Sequence, residues 1–170
     1  MSDTTIERGD EHGVVHELVA ALDYPMFIVT VAAAGERSGC LVGFTTQTSI
    51  DPPRFLVCIS RKNHTFRIAH AADSMVVHLV PREADALANL FGGETGDEID
   101  KFERCDWRPG PDGTPVLEQC PNWFAARILD RIPMGDHHGF LLAPFQAHSD
   151  TGEQPFTFHR ARRIDPGHEA

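Results

Sequence analysis

No apolar stretch in the 170-residue chain approaches the roughly 18–20 residues that a helix needs to cross a bilayer. No C-x-x-C pair occurs either. The four cysteines, Cys40, Cys58, Cys105 and Cys120, are spaced by 18, 47 and 15 residues, which supports neither a zinc site nor a disulfide frame. Cys40 and Cys58 sit inside apolar runs and read as buried thiols. Positive charge is scarce. Fifteen Lys and Arg against 25 Asp and Glu leave a net charge of −10, which repels a phosphate backbone and argues against nucleic acid as a partner. A small anionic ligand stays open, because backbone N–H groups at a helix N-terminus hold phosphate whatever the overall charge. The nucleophile elbow G-x-S-x-G, the dinucleotide fingerprint G-x-G-x-x-G and the glycine-rich Walker A loop are all missing, so a serine hydrolase, a Rossmann dehydrogenase domain and nucleoside triphosphate hydrolysis have no support. The opening segment MSDTTIERGDEHG is polar and acidic, unlike a signal peptide. A cytoplasmic protein with no membrane partner is the expectation.

What is present is a globular balance, with 41% hydrophobic and 24% charged residues, in a length that suits one domain and one core. The expected layout is a polar, mobile segment over 1–15, a domain over 16–163 and a short tail over 164–170. A short helix is expected over 16–22. Strands are expected at 26–31, 40–49, 54–60, 75–80, 122–131 and 139–148, with a turn at 35–39, a sharp stop at Asp51-Pro52-Pro53 and a last alternating strand at 156–160. Helices are expected over 63–72, from Pro81 to the Gly92-Gly93 pair, and over 97–104. Many strands with few long helices predict a mainly β fold, a small barrel carrying helical insertions.

Four segments carry candidate chemistry. The first is Gly43-Phe-Thr-Thr-Gln-Thr-Ser49, running into Ile50-Asp-Pro-Pro53. It offers hydroxyls, an amide and backbone groups to a polar ring edge or a phosphate, and reads equally well as a threonine-rich strand. The second is Ser60-Arg-Lys-Asn-His-Thr65 at a helix entry, either an anion site with donors and two cations or a plain capping turn. The third is Met134-Gly-Asp-His-His138, either an imidazole oriented by Asp136 or an exposed hairpin turn. Zinc at this segment lacks a ligand pair of standard spacing, so no metal is expected. The fourth is Asp100-Lys-Phe102 ahead of Trp107, an aromatic cover for a ligand or a helix docked in the core.

Tyr24-Pro25 leads the first apolar strand. Gly39 leads a hydroxyl-rich strand into Ser49-Ile-Asp-Pro-Pro53. An apolar strand ends at Ser60 with Asn63-His-Thr65 behind it. The strand Met75–Leu79, Asp100-Lys-Phe102 with Trp107, Gly135-Asp-His137 and the tail Pro155–Arg160 follow in that order. Over about residues 20–162 this succession resembles the short-chain flavin reductase family, the reductase components of two-component flavin monooxygenases. The resemblance implies a six-stranded Greek-key split β-barrel of the FMN-binding type, paired as a homodimer with flavin in a groove near the interface. It implies that Gly43, Phe44, Thr45, Thr46 and Gln47 line the isoalloxazine, largely through backbone groups. It also implies that Ser60, Lys62, Asn63, His64 and Thr65 surround the ribityl-phosphate end, and that His137 serves the nicotinamide. The implied reaction is hydride transfer from NAD(P)H to FMN or FAD, with reduced flavin supplied to a partner monooxygenase. In such chemistry the flavin ring accepts the hydride, and the protein supplies binding, orientation and electrostatics. The chain reads Val42-Gly43-Phe44 where the family often has Ala-Ser-Ser, and a second histidine, His138, follows the Gly-Asp-His motif. Two alternatives remain: a flavin-binding electron carrier that oxidises no nicotinamide, and a split barrel serving a deazaflavin or haem.

Overall fold

β-Branched and aromatic runs dominate the chain, and they fold into one curled antiparallel sheet. The computed structural model describes residues 8–166. In chain order the elements are α1 (Arg8–Ala20), β1 (Phe27–Ala33), β2 (Glu36–Val42), β3 (Thr45–Ser49), β4 (Arg54–Ser60), α2 (His64–Ala71), β5 (Ser74–Leu79), α3 (Asp85–Gly93), β6 (Trp107–Pro109), β7 (Pro115–Leu117), β8 (Trp123–Met134), β9 (His137–His148) and α4 (Phe158–Ala161). Seven strands form the main sheet in the order β2-β1-β5-β8-β9-β4-β3, and β6 pairs with β7 in a separate hairpin. The edge strands β2 and β3 are separated in sequence by Gly43 and Phe44 alone. Three peptide units span at most about 11 Å, so the sheet must curl until its two edges meet at this bend.

The curl encloses the core. Val29, Val31, Val57, Met75, Phe140 and Leu142 are all 0% exposed and share one cluster with Ile68 and Ala69 of α2. Each such side chain contributes about 1.5–3 kcal/mol on burial. A second cluster under α3 gathers Met26, Ile28, Leu87, Phe91, Phe102, Leu117 and Phe156. His78 links the layers from inside. Its Nε2 accepts from the Leu117 N–H at 3.0 Å, so the proton sits on Nδ1, which donates to the Ile28 carbonyl at 2.9 Å. Among the described residues no helix is long and apolar enough to cross a membrane.

The third expected strand, 54–60, coincides with β4, and β5, β8 and β9 overlap the others within a few residues. Several expectations are corrected. The hydroxyl-rich run 40–49 is broken at Gly43-Phe44 into the end of β2 and all of β3, and the first turn sits at Ala34-Gly35, both with positive φ. The main sheet shows seven strands where six were expected. The helix after Pro81 starts only at Asp85, because the backbone around Pro81 pairs with the tail: Arg82 N–H donates to Gln154 O, and Phe156 N–H to Val80 O, each at 2.8 Å. That tail is no strand. It makes isolated bridges at Pro155 and Thr157, and Phe158–Ala161 then turns into α4. Of the expected helix 97–104, only a 3₁₀ turn at Lys101–Arg104 forms. The first helix begins at Arg8, ahead of the expected His16. Of the expected mobile segment, 1–7 lie outside the described residues, as do 167–170 of the tail.

Candidate functional site

β4 and β9 pair so that Ser60 lies opposite His137. β8 and β9 are joined by Gly135-Asp136 alone, and Gly135 takes φ +89°, the left-handed entry that a two-residue hairpin turn of this kind requires of glycine. The turn is tied to the β4–α2 junction by the Arg61 N–H, which donates to Asp136 O at 3.1 Å. The junction is itself organised. Asn63 caps α2, its Oδ1 accepting from Thr65 N–H at 2.9 Å, while Asn63 N–H donates to Ser60 O at 3.0 Å and Lys62 N–H to Ser60 Oγ at 3.3 Å. His137 Nδ1 stands 2.6 Å from Asp136 Oδ1, and that hydrogen bond holds the Asp136 carboxyl below the usual carboxylate range.

These pieces face a pocket of about 220 Å³ at the β2–β3 bend. One wall is Tyr24 stacked on Phe158, ring centroids 4.7 Å apart and 11° from parallel. The opposite rim is Phe44 beside His137, centroids 5.0 Å apart. Gly43 forms part of the floor, where an added Cβ would lie 2.9 Å from Tyr24 Cε2 and 3.1 Å from Met26 Sδ. Cys40 and Cys58 are part of the same lining. Burial pushes Cys40 up to about 11 and raises Cys58 as well, so both stay protonated at neutral pH and act as apolar lining, with no nucleophilic role.

A second cavity of about 420 Å³ follows β2 in the other direction, lined by Arg37, Ser38, His64, Asp97, Asp100 and Lys101 among others. Its charged groups are largely committed. His64 Nδ1 lies 2.6 Å from Asp97, Arg37 pairs with Asp100 at 3.0 Å, and Lys101 Nζ donates to Gly39 O and Phe91 O at 3.3 and 3.1 Å. Lys101 and Phe102, each 5% exposed, are therefore core residues, and the docked-helix reading of Asp100-Lys-Phe102 is the one the structure bears out.

The structure brings Gly43, Phe44, Ser60, Asn63 and His137 together around the smaller pocket. Thr45, Thr46 and Gln47 lie beyond it on edge strand β3. The Thr46 hydroxyl turns to Gln47 O, and the Gln47 amide to Ser49 O. Lys62 is exposed at the junction, and His64 belongs to the second cavity. Thr65 departs most from expectation. Its hydroxyl is buried against Ser38 Oγ at 2.8 Å, so it fastens α2 to β2 and presents nothing to a ligand. Sequence reasoning missed Phe158 as a pocket wall, since its partner Tyr24 lies far off in the chain and no local pattern links them. Chemically the site is a narrow slot with aromatic sides, an apolar floor and an oriented imidazole at its mouth. It suits a planar ring, and the reactivity has to come from that ring.

The sequence model of the family described as "Flavin reductase like domain" matches residues 19–167. A probable flavin reductase of Rhizobium meliloti (strain 1021) is 31% identical over 113 residues, covering 64% of this chain and 35% of that protein. The FMN reductase (NADH) RutF of Ancylobacter novellus is 29% identical over 121 residues, covering 71% of this chain and 66% of that protein. The chain thus spans between about a third and two thirds of the length of these curated relatives. Among solved structures, the NADH:FAD oxidoreductase SgcE6 of Streptomyces globisporus C-1027 matches with a TM-score of 0.80 at 19% identity, covering 90% of this chain and 91% of that one. A flavin reductase domain protein from Arthrobacter sp. FB24 matches at 0.79 and 20%, covering 88% and 91%. At these identities the structural matches speak for the fold.

Proposed function

Since the chain belongs to the flavin reductase like domain family, we propose that it transfers hydride from NAD(P)H to FMN or FAD and supplies the reduced flavin to a partner monooxygenase. The observation that carries this reading is the slot of about 220 Å³ between the Tyr24–Phe158 stack and the Phe44–His137 rim. Its volume suits the ring system of a flavin, and Ser60 and Asn63 of the β4–α2 junction are part of its lining, which places a ribityl-phosphate chain within reach of that junction in this reading. The names of the curated relatives, probable flavin reductase and FMN reductase (NADH), point the same way.

In this reading the bound flavin supplies the hydride acceptor. The chain's own residues do the rest. Backbone groups at Gly43 and Phe44, and along the unpaired edge of β3 from Thr45 to Gln47, hold the polar edge of the ring. Ser60, Lys62 and Asn63 surround the phosphate end, with Thr65 fixing the helix behind them and His64, held by Asp97, on the side of the second cavity. His137, oriented by Asp136, hydrogen-bonds the nicotinamide carboxamide. Preformed N–H groups beside the ring stabilise the negative charge that reduction places on it.

We take the fold to be the six-stranded Greek-key split barrel that the family resemblance implies, with β2 and β3 counted as two halves of one bent strand; the short Gly43-Phe44 link between them supports this count. The domain is taken as residues 16–163, working in the cytoplasm as a homodimer. Support for pairing comes from the apolar side chains left on the surface: Val14, Val15, Leu18 and Val19 along α1, Leu22 just after it, and Ile50 at 84% exposure. Flavin fluorescence titration tests the proposal. Saturable quenching near one flavin per subunit is expected, and its absence contradicts the reading. Lys62→Ala should weaken FMN by about ten-fold, the value of one charge-assisted hydrogen bond, and leave riboflavin nearly unaffected. Equal losses for both would refute the phosphate assignment.

A further inference from the structure

The large apolar side chains left exposed fall into two groups, one on α1 and one on the sheet. On α1, Val14 and Leu18 follow at i and i+4 with Val15 and Val19 beside them. Leu22 continues the stripe one turn on, where its N–H donates to Val19 O at 3.1 Å. Among the described residues none covers this stripe, and residues 11–22 are exposed without exception. A helix of 13 residues with Gly13 in its interior is marginal in water unless a tertiary contact holds it. α1 also lies almost wholly ahead of residues 19–167, the span of the family match, so the stripe is a feature of this chain rather than of the matched domain.

On the sheet, Phe44 and Met134 stand at the slot end, where Phe44 O accepts from Cys58 N–H and Met134 Sδ lies 3.7 Å from Cys58 Sγ. Leu129, Phe145 and Ile50 form a separate patch. Leu129 and Phe145 are each the unmatched residue of a β8–β9 bulge, one between the pairs Ile128–Leu142 and Asp130–Leu141, the other between Ala125–Gln146 and Ala126–Pro144. A bulge re-aims its extra side chain, here into solvent. The turn that bears Ile50 joins Ser49 to Arg54, next to Phe55 opposite Leu142, so it stands beside this stretch of β9. Resting on the homodimer proposed above, we infer that α1 is an exchanged arm, whose stripe docks on the Ile50–Leu129–Phe145 patch of a second copy of this chain. Within one chain both surfaces stay exposed. The arm leaves its own body at a fixed root, where Asp23 Oδ1 accepts from His159 N–H at 2.9 Å and Arg162 Nη1 donates to Ala20 O at 3.4 Å. A twofold axis sets each stripe against the other copy's patch and closes both contacts at once.

The test is a complementation read by light scattering on the full chain. The arm variant Val15→Ser/Leu18→Ser and the patch variant Leu129→Ser/Phe145→Ser should each dissociate. The dimer Kd should rise at least roughly thirty-fold in each, because a twofold dimer loses every substituted side chain twice. Mixed in equal amounts, the two variants should re-form dimer in part, since the mixed pair keeps one intact arm on one intact patch. An arm variant that stays dimeric overturns the inference. So does a patch variant that stays dimeric, which would set stripe against stripe, and so does a mixture that stays monomeric. If the patch variant fails to fold, Ile50→Ser, which lies in a turn, takes its place. Flavin titration runs beside the masses. A parent that is a dimer and binds no flavin overturns the reductase reading and leaves the arm standing. A parent that is a monomer at working concentrations overturns the arm and leaves the reductase reading to the titration.

Discussion

His137 and His138 are neighbours whose rings do unrelated work. Alternation along β9 sends them to opposite faces: His137 to the slot beside Phe44, His138 to a cluster where its ring lies 4.9 Å from Phe66 and 6.3 Å from His70. His137→Ala should therefore raise the nicotinamide KM by roughly two- to ten-fold, the value of one neutral hydrogen bond, and leave flavin affinity nearly unchanged. His138→Ala should leave the kinetics alone and lower stability. Steady-state assays with varied NADH and NADPH check this, and the reverse pattern would show that the motif is assigned one residue out of place. A third histidine sets a pH limit on the fold. His78 is 0% exposed, and burial drives its pKa from 6.5 down to about 4. The unfolded chain takes up a proton near pH 6.5 that the fold refuses until about pH 4. Its contribution is therefore complete above about pH 6.5 and is lost progressively as pH falls toward 4, by about 3 kcal/mol at most. His78→Gln, which keeps a donor and an acceptor but cannot titrate, should flatten the dependence of the urea midpoint on pH across that window. Equal slopes in parent and variant would contradict the assignment.

At the scale of elements, the junction between β4 and α2 does the positioning. Asn63→Ala removes the cap on Thr65 N–H and should cost about 1 kcal/mol, read as a lower urea midpoint. An unchanged midpoint would mean that the helix is held by the Thr65–Ser38 contact alone. The sequence was most legible where local signals and tertiary needs agree. Arg54–Ser60 is largely apolar, preceded by Pro52-Pro53 and followed by polar Arg61-Lys62-Asn63, and it is β4 residue for residue. The Gly135-Asp136 turn was plain for the same reason. Legibility failed where distant partners decide. Pro81 looks like a helix start, yet its backbone is taken up by the tail. The tail looks like a strand by alternation, yet its pairing stops at isolated bridges from Pro155 and Thr157, and Phe158 is drawn onto Tyr24. The hairpin β6–β7 is only three residues on each side, too short for a periodic signal. At the site, the segments with turn chemistry were legible. The direction of each hydroxyl was not, as Thr65 shows, because that depends on which strand the helix lies against.

At the scale of the whole molecule, the curl of the sheet brings residues from Tyr24 to Phe158 around one slot, and a net charge of −10 surrounds it. Light scattering at working concentrations should give the mass of a homodimer, and a monomer mass with flavin present would contradict the proposed pairing. The central claim concerns electrons rather than mass. The most direct measurement is anaerobic rapid mixing of the protein with flavin and NADH or NADPH, following the visible absorbance of the flavin. The account predicts that the flavin is bleached in a protein-dependent phase, with one donor consumed for each flavin reduced. If flavin binds and is not bleached by either nicotinamide, the protein is an electron carrier or a binding module, and the assignment of His137 to the nicotinamide is wrong.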